Sequence, residues 1–540
     1  MRCKIPSLLL LLLIVFSSCN TIRITTNRHD AKMLRVAQLI RNNYVDAVDS
    51  QALTEAAIRA MMSQLDPYSN YLNAEQTRAS RDAMRRNFAG IGTQSMMLVD
   101  TLYIFGVNAD SPAQRAGLMT GDRVIYVNDS LIAGVEMPRQ EVQQLLRGER
   151  GQTINLRVLR RNTPELIDFQ ITLDRISMNS IDASYMITDS IGYIRINRFA
   201  AATAREFREA KNRLQEQGMR HLILDLSDNT GGRLSTTTLI ASDFLDRGQR
   251  ITYLDGENRR RRGRSSLFAG ERMRTGKVVV LVNESTASAS EVLAGALQDW
   301  DRAIIVGRRT HGKGLGQRQY SLSGNTTLSL TGIRLYTPSG RSIQRPFEHN
   351  DIEEHRESVR NRMYHAERFN VDSIQLCNVP RFNTLIYNRT IFGGGGILPD
   401  YFVVVDSTMV TRLYRDLIKN EIIMSAAFLE VDDNRSELFY QYPDVATFQE
   451  KFQLPESVID RVKKLAKEKE IEWCDEQFKG AHSLIVNRLR AYMALDLFDV
   501  QAFLKILNEE NAIFQEGLRI ISDPERYENL LRGIGSNVGI

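Results

Sequence analysis

Val282-Asn283-Glu284-Ser285-Thr286-Ala287-Ser288-Ala289-Ser290-Glu291 is a run of small and polar residues between a β-branched stretch, residues 277–282, and an amphipathic one, residues 288–298. The first has the composition of a buried strand and the second the apolar spacing of a helix, so the run reads as a strand-to-helix corner. Ser288 and Glu291 have the spacing of a capping box, in which a hydroxyl and an acid three residues on satisfy the first free N–H groups of a helix. The corner also has a chemical reading. A helix N-terminus presents N–H groups without intrahelical partners, which favour negative charge developing on an oxyanion, and a serine placed there can act as a nucleophile.

Outward from this corner, strand and helix patterns alternate. Residues 191–196, 221–226, 277–282 and 303–306 read as strands, and 202–217, 234–244 and 288–298 as helices, which implies an α/β core with crossover connections. Residues 326–335 read as a further strand, and 345–390 as a charged, irregular insertion before the Gly393–Gly396 run. Upstream, Leu34, Ala37, Ile40, Leu53, Ala56, Ile58 and Met61 recur at helical spacing, closed by Leu65-Asp66-Pro67, so a small helical domain is expected over 31–87. Residues 88–176 change to short strands at 96–99, 102–107, 123–127 and 153–159, with helical stretches at 112–118 and 140–146. From about Met409 the helical period returns to the end of the chain.

The chain has 540 residues, 43% of them hydrophobic and 25% charged, which excludes a wholly disordered protein and leaves room for several cores. A net charge of +5 from 70 basic and 65 acidic residues is too even for a nucleic-acid binder. The arginine run at Arg259–Arg262 and Arg264 reads as a solvated hairpin. At the N-terminus, Arg2 and Lys4 precede an apolar run from Leu8 to Phe16 and then Ser17-Ser18-Cys19. Nine residues rise about 13 Å as a helix, too short to span a bilayer, so this is an export signal. A cysteine directly after two small residues resembles the lipobox of bacterial lipoproteins. Residues 1–18 would then be removed, Cys19 acylated, and 19–30 left as a tether.

A serine hydroxyl needs a base to attack at neutral pH. None of the seven histidines lies in a recognisable triad setting. A lysine serves if burial keeps it neutral, and Lys313, in Thr310-His311-Gly312-Lys313-Gly314-Leu315-Gly316-Gln317, is the candidate. The glycines let the backbone come close, and Gln317 could orient the amine. The stretch from Gly307 to Lys313 also has phosphate-loop spacing, but Gly314 stands where the magnesium-binding hydroxyl is needed and no helix follows. His349, Glu353, Glu354, His355 and His365 lack the zinc-helix spacings, so no metal is expected.

With Ser288 and Lys313 in place, the sequence resembles the C-terminal processing (tail-specific) serine protease family. The resemblance rests on Ala287–Glu291, Ala296–Asp299, Gly312–Gly314 and Gln317 in order. Tyr44-Val45-Asp46, Leu65-Asp66-Pro67-Tyr68-Ser69 and Tyr336-Thr337-Pro338-Ser339-Gly340-Arg341 extend it from about Ala31 to Asp400. It implies Ser288 as nucleophile, Lys313 as general base and Gln317 as the residue that positions the lysine. It also implies the Ala289 amide as half of an oxyanion hole, Gly231 or Gly232 as the other half, and a supporting role for Asp299. The module at 88–176 matches a PDZ domain, with Gly90-Ile91-Gly92 as the loop that holds a substrate's C-terminal carboxylate.

The expected fold is multidomain α+β. It comprises the helical N-terminal domain, the PDZ module, an α/β (ClpP/crotonase-like) protease core over 177–408 and a helical C-terminal domain over 409–540. The expected partners are peptide or protein C-termini and, through Cys19, a membrane of the bacterial cell envelope on the periplasmic side. No cofactor and no nucleic acid are expected, and the C-terminal helices are a place for self-association or partner docking. The rival reading is a PDZ-based binding lipoprotein whose protease core is vestigial.

Overall fold

Val278–Val282 is apolar at every position, a pattern suited to a strand covered on both faces, and all five side chains are fully buried. In the computed structural model this strand, β4, lies within a six-stranded sheet. Residues 27–85, 89–176, 179–256, 261–267, 273, 275–347, 355, 357, 366–374, 376 and 379–538 are described. The strands are β1 (Ile181–Met186), β2 (Ile191–Ile196), β3 (His221–Asp225), β4 (Val278–Val282), β5 (Ile304–Gly307) and β6 (Tyr401–Phe402), adjacent in that order. Only β1 runs antiparallel to its neighbour.

Helices α1 (Thr203–Glu216), α2 (Leu234–Ala241) and α3 (Ala289–Asp299) supply Phe207, Leu214, Ile240, Val292 and Leu293 to a core with Val278, Val280 and Val282. The alternate residues, Val279 and Leu281, face a second core with Phe514, Ile520, Ile521 and Tyr527 from the C-terminal helices. Those helices include α4 (Ile422–Gln441), α5 (Asp475–Leu497), α6 (Val500–Leu507), α7 (Ala512–Ser522) and α8 (Pro524–Leu531). The C-terminal region thus supplies the missing layer of the α/β sandwich. No described helix is long and apolar enough to cross a membrane.

A second, antiparallel sheet holds Asn70–Leu72, Thr327–Tyr336, Arg250–Gly256 and Arg261–Ser265, with Leu315–Ser321 also paired to Thr327–Tyr336. Within the expected helical domain over 31–87, the helices Arg28–Asn43, Ser50–Ser63 and Ala74–Arg85 are present, and the strand Asn70–Leu72 is the departure. A compact unit ends at Met62 and carries the helix Arg28–Asn43, while residues from Ser63 on belong to the larger unit. The Asp66–Leu72 segment goes with the second sheet because Asn70, Tyr71 and Leu72 register against Ser329, Leu328 and Thr327. Arg261–Ser265 is an exposed edge strand, as the charge run suggested.

Residues 89–176 form a module of their own. Its strands Thr93–Leu98, Thr101–Val107, Arg123–Val127, Thr153–Leu159 and Ile167–Thr172 lie in that order, all antiparallel. Helices Pro112–Ala116 and Arg139–Leu145 accompany them. In Thr153–Leu159 every second residue is buried, and Ile154, Leu156 and Val158 join Ile104, Val124 and Val142 in the module's core.

Candidate active site

The corner after β4 turns sharply into α3. Ser288 holds φ +56° and ψ −114°, a conformation costly to a residue with a Cβ, on the order of 1–3 kcal/mol, that persists only where the surroundings enforce it. The enforcement is visible. Ala287 N–H and the Ser290 hydroxyl both donate to the Asn229 carbonyl at 2.9 Å, and the Thr286 hydroxyl donates to Leu226 O at 2.9 Å. The Glu291 arm of the capping box is formed, Ser288 N–H donating to Oε2 at 2.7 Å.

Glu291 also binds the lysine loop. Its Oε1 accepts from the Thr310 hydroxyl at 2.5 Å and Gly312 N–H at 2.7 Å, and its Oε2 accepts from Lys313 N–H at 2.9 Å as well as from Ser288. The side chain is fully buried, which pushes its carboxyl above the usual range, while the four hydrogen bonds pull it down. Thr310 Oγ1 also accepts from Ile397 N–H at 2.6 Å. Three backbone N–H groups and the Thr310 hydroxyl thus converge on the two oxygens, and burial outweighs them in leaving the carboxyl above its usual range. One carboxylate therefore fixes the backbones of Ser288 and Lys313 together.

The glycine turn after β3 closes against the same corner. Gly231 has φ +99°, and a Cβ built there would lie 2.8 Å from Ala287 O and 2.9 Å from both Ala289 N and Ser288 Cβ. Only glycine fits. Gly231 N–H donates to Asn229 Oδ1 at 2.9 Å, and Asn229, itself fully buried, is held by Ile196 O at 2.8 Å. Among the described residues the N–H groups of Ala289 and Gly232 have no acceptor. Of the two glycine N–H groups, that of Gly232 is the one without an acceptor among the described residues.

Lys313 Nζ lies 4.9 Å from the centre of the Tyr68 ring. Burial lowers its pKa below the usual lysine value, opposed by Glu291 and Asp66. The phenol of Tyr68, also desolvated, is pushed up to about 12 and stays neutral. Its ring edge meets His355 at 5.8 Å, which brings one residue of the insertion over the site. Gln317 differs from expectation. Its Nε2 donates to Leu315 O at 3.3 Å and Thr331 Oγ1 at 3.2 Å, and no hydrogen bond joins it to Lys313 among the described residues. Thr331 Oγ1 donates to Asp66 Oδ1 at 3.0 Å, and Asp66 also accepts from Tyr68 N–H at 2.9 Å. Gln317 therefore joins the turn that carries Tyr68.

Asp299 sits at the far end of α3, about 16 Å along the helix axis from Ser288. It accepts from Ser339 N–H at 2.8 Å and pairs with the buried Arg341 at 2.8 Å, so it anchors the Pro338–Gly340 turn and touches none of the residues above. In the module, Ala113 N–H donates to Ile91 O and Asn108 N–H to Gly92 O, pinning the Gly90–Gly92 loop. Gly92 has φ +84°, and a Cβ there would fall 2.4 Å from Ser111 Cβ. The N–H groups of Ile91 and Gly92 have no acceptor among the described residues. No described group of His, Cys, Asp and Glu could hold a metal ion. Cys19, His349, Glu353, Glu354, His365 and Cys377 lie outside the described residues.

Asn229, Thr310, Tyr68, Asp66 and Thr331 were not anticipated as parts of this site. Asp66 and Tyr68 fall in the Leu65–Ser69 motif, Thr310 opens the lysine stretch and Asn229 precedes the glycine turn, so only Thr331 lay outside every motif.

A strained serine at a helix N-terminus, a desolvated lysine tied to it and a glycine turn with a free amide define the architecture of a serine hydrolase. Residues 190–354 match peptidase family S41, 103–160 a PDZ domain, 18–76 the N-terminal domain of the activating protease CtpB, and 413–499 a family of unknown function. A carboxy-terminal-processing protease of Bartonella bacilliformis is 32% identical over 331 residues, 59% of this chain and 75% of that protein. The chain belongs to this family of carboxy-terminal-processing proteases. A probable CtpA-like serine protease of Staphylococcus epidermidis is 32% identical over 313 residues, 58% of this chain and 62% of its own length, so the chain spans under two thirds of that relative. The photosystem II D1 C-terminal processing protease, a solved structure, aligns with 26% identity and a TM-score of 0.35 over 59% of this chain and 91% of that one.

Proposed function

We propose that the protein is a serine endopeptidase that captures polypeptide C-termini on its PDZ module and cleaves by acyl transfer. The observation that carries this reading is the shared Glu291 carboxylate, which sets the Ser288 corner and the Lys313 loop side by side. Lys313 in its neutral form, which burial favours, takes the proton from Ser288 Oγ as the oxygen attacks the peptide carbonyl. The tetrahedral oxyanion rests on the Ala289 and Gly232 N–H groups, the lysine returns its proton to the leaving amine, and water resolves the acyl-enzyme. Gln317 positions the lysine indirectly, through Thr331 and the Asp66 turn, and Asp299 supports the frame. The substrate's C-terminal carboxylate sits on the Ile91 and Gly92 N–H groups while its chain adds to the open edge of Thr93–Leu98.

The finer architecture in this reading has a ClpP/crotonase-like core over 177–408 with the 345–390 insertion, between the PDZ module and the C-terminal helices. Export, acylation at Cys19 and a periplasm-facing membrane anchor complete it. The test is hydrolysis of an unstructured polypeptide offered with a free or an amidated C-terminus. Cleavage is expected for both, with kcat/KM higher for the free carboxylate. No cleavage of either would leave the binding-protein reading in place.

A further inference from the structure

The region 413–499, which matches a family of unknown function, touches the PDZ module on the face opposite its core. Met96 and Leu98 of one strand and Tyr103 and Phe105 of the next gather around Phe428 of α4, with Tyr492 of α5 completing the cluster. Phe428 is fully buried, its ring centre 5.1 Å from Phe105 and 5.9 Å from Tyr103. A polar knot adjoins it. The Tyr103 hydroxyl donates to Asp496 at 2.8 Å, Arg435 donates to both Asp496 and Tyr103 at 2.8 Å, and Arg123 pairs with Asp432 at 2.7 Å. Arg139–Glu421 and Arg161–Asp433 lie on the exposed rim, where such pairs contribute little. The ion pairs that leave the module at Arg123, Arg139 and Arg161 all end on this region.

The same helices grip the protease sheet at their other end. Asp496 stands next to the last residue of α5, and α6 begins at Val500 after a break of two residues. Beyond it, Gln501 accepts from Ser184 N–H at 2.9 Å, Asn508 donates to the Tyr185 hydroxyl at 3.1 Å, and Phe514 meets Tyr193 edge-on at 5.5 Å. Tyr527 brackets Val278 of the central strand, donating to its carbonyl and accepting from its N–H, each at 3.1 Å. The path from the PDZ strands to β4 runs through packed helices joined by short turns. The Ile91 and Gly92 N–H groups and the outer edge of Thr93–Leu98 are left open.

We propose that the C-terminal helical region is the mount of the PDZ module, a fixed arm that sets how far from a captured C-terminus the chain meets Ser288. This rests on the reading of the module as a C-terminus reader and of Ser288 as the nucleophile. A buried apolar plug flanked by a charge-assisted knot resists swinging, because opening it would expose Phe428 and leave Asp496 and Arg435 without their Tyr103 partner. The arm therefore acts as a ruler. Cleavage falls at a narrow range of distances from the substrate's C-terminus.

The test reads cut positions by mass spectrometry on an unstructured polypeptide with a free C-terminus, with an amidated short peptide reporting PDZ-independent turnover. Asp432→Arg and Arg123→Asp place like charges at the joint. Each is expected to broaden the cut positions and lower kcat/KM on the free tail at least tenfold, with turnover of the amidated peptide unchanged. The charge-swapped Arg123→Asp/Asp432→Arg double variant is expected to restore the wild-type pattern. Folded single variants that keep wild-type cut positions, or a double variant no better than the singles, overturn the mount. Loss of all cleavage in the wild-type protein would instead overturn the protease reading. Hydrogen exchange of the Thr101–Val107 amides then tests the joint alone, with faster exchange in the single variants and recovery in the double expected. Unchanged exchange in the singles would refute it.

Discussion

Lys313 Nζ lies 4.9 Å from the centre of the Tyr68 ring, so the proposed base is roofed by an aromatic from a turn 245 positions earlier in the chain. The ring has two opposed effects. Its quadrupole favours the ammonium form by roughly 0.5–2 kcal/mol, and its bulk excludes the water that the ammonium needs. Desolvation is the larger influence on Lys313, whose pKa is lowered.

A neutral lysine is required for attack, so kcat/KM should rise with pH through the Lys313 pKa and fall away below it. Tyr68→Ala should admit water, return the lysine toward about 10.4 and move that limb to higher pH. Tyr68→Phe, which keeps the ring, should leave the limb in place. Arg345, His355, Glu291 and Asp66 are the other charged or titratable groups around the pair. A pH–rate profile of the three proteins checks this.

Glu291→Gln replaces one carboxylate oxygen by an NH2 group where two donors already point. Hydrogen bonds to a charged group contribute about 1.5–3 kcal/mol each, and the NH2 group must break either the Ser288 and Lys313 contacts at Oε2 or the Gly312 contact at Oε1. The expected result is a lower unfolding midpoint of the protease core and a fall in kcat of tenfold or more. Thermal unfolding followed by circular dichroism, with kcat on a short peptide, measures both.

Gly92→Ala requires a Cβ 2.4 Å from Ser111 Cβ at a φ of +84°. The loop should shift and its free N–H groups lose their aim. The preference for a free over an amidated C-terminus is expected to disappear, with turnover of the amidated peptide unchanged. Steady-state kinetics on the matched pair of peptides decides it.

Much of this was legible because burial on both faces writes itself as unbroken apolar runs. The strands 191–196 and 123–127 read off within a residue of Ile191–Ile196 and Arg123–Val127, and the helix before 217 matched Thr203–Glu216. Ser288, Lys313 and the glycine turn were singled out from spacing and family resemblance. The misses share a cause. Asn70–Leu72 is too short to show a period, and it is a strand only because Thr327–Tyr336 offers it an edge. Tyr68, Asp66, Thr331 and Asn229 act through contacts across 30 to 265 positions, which local pattern does not carry. The Gln317 amide went to Thr331 for the same reason. The C-terminal helices were visible as helices, but their two grips depend on which faces meet the module and the sheet.

The central claim is that Ser288 and Lys313 form one chemical unit. The direct measurement is kcat/KM on an unstructured polypeptide with a free C-terminus for wild-type protein, Ser288→Ala and Lys313→Ala, each with its unfolding midpoint. Both substitutions should reduce cleavage to background while the midpoints stay within a few degrees of wild type. Substantial cleavage by either folded variant would contradict the account.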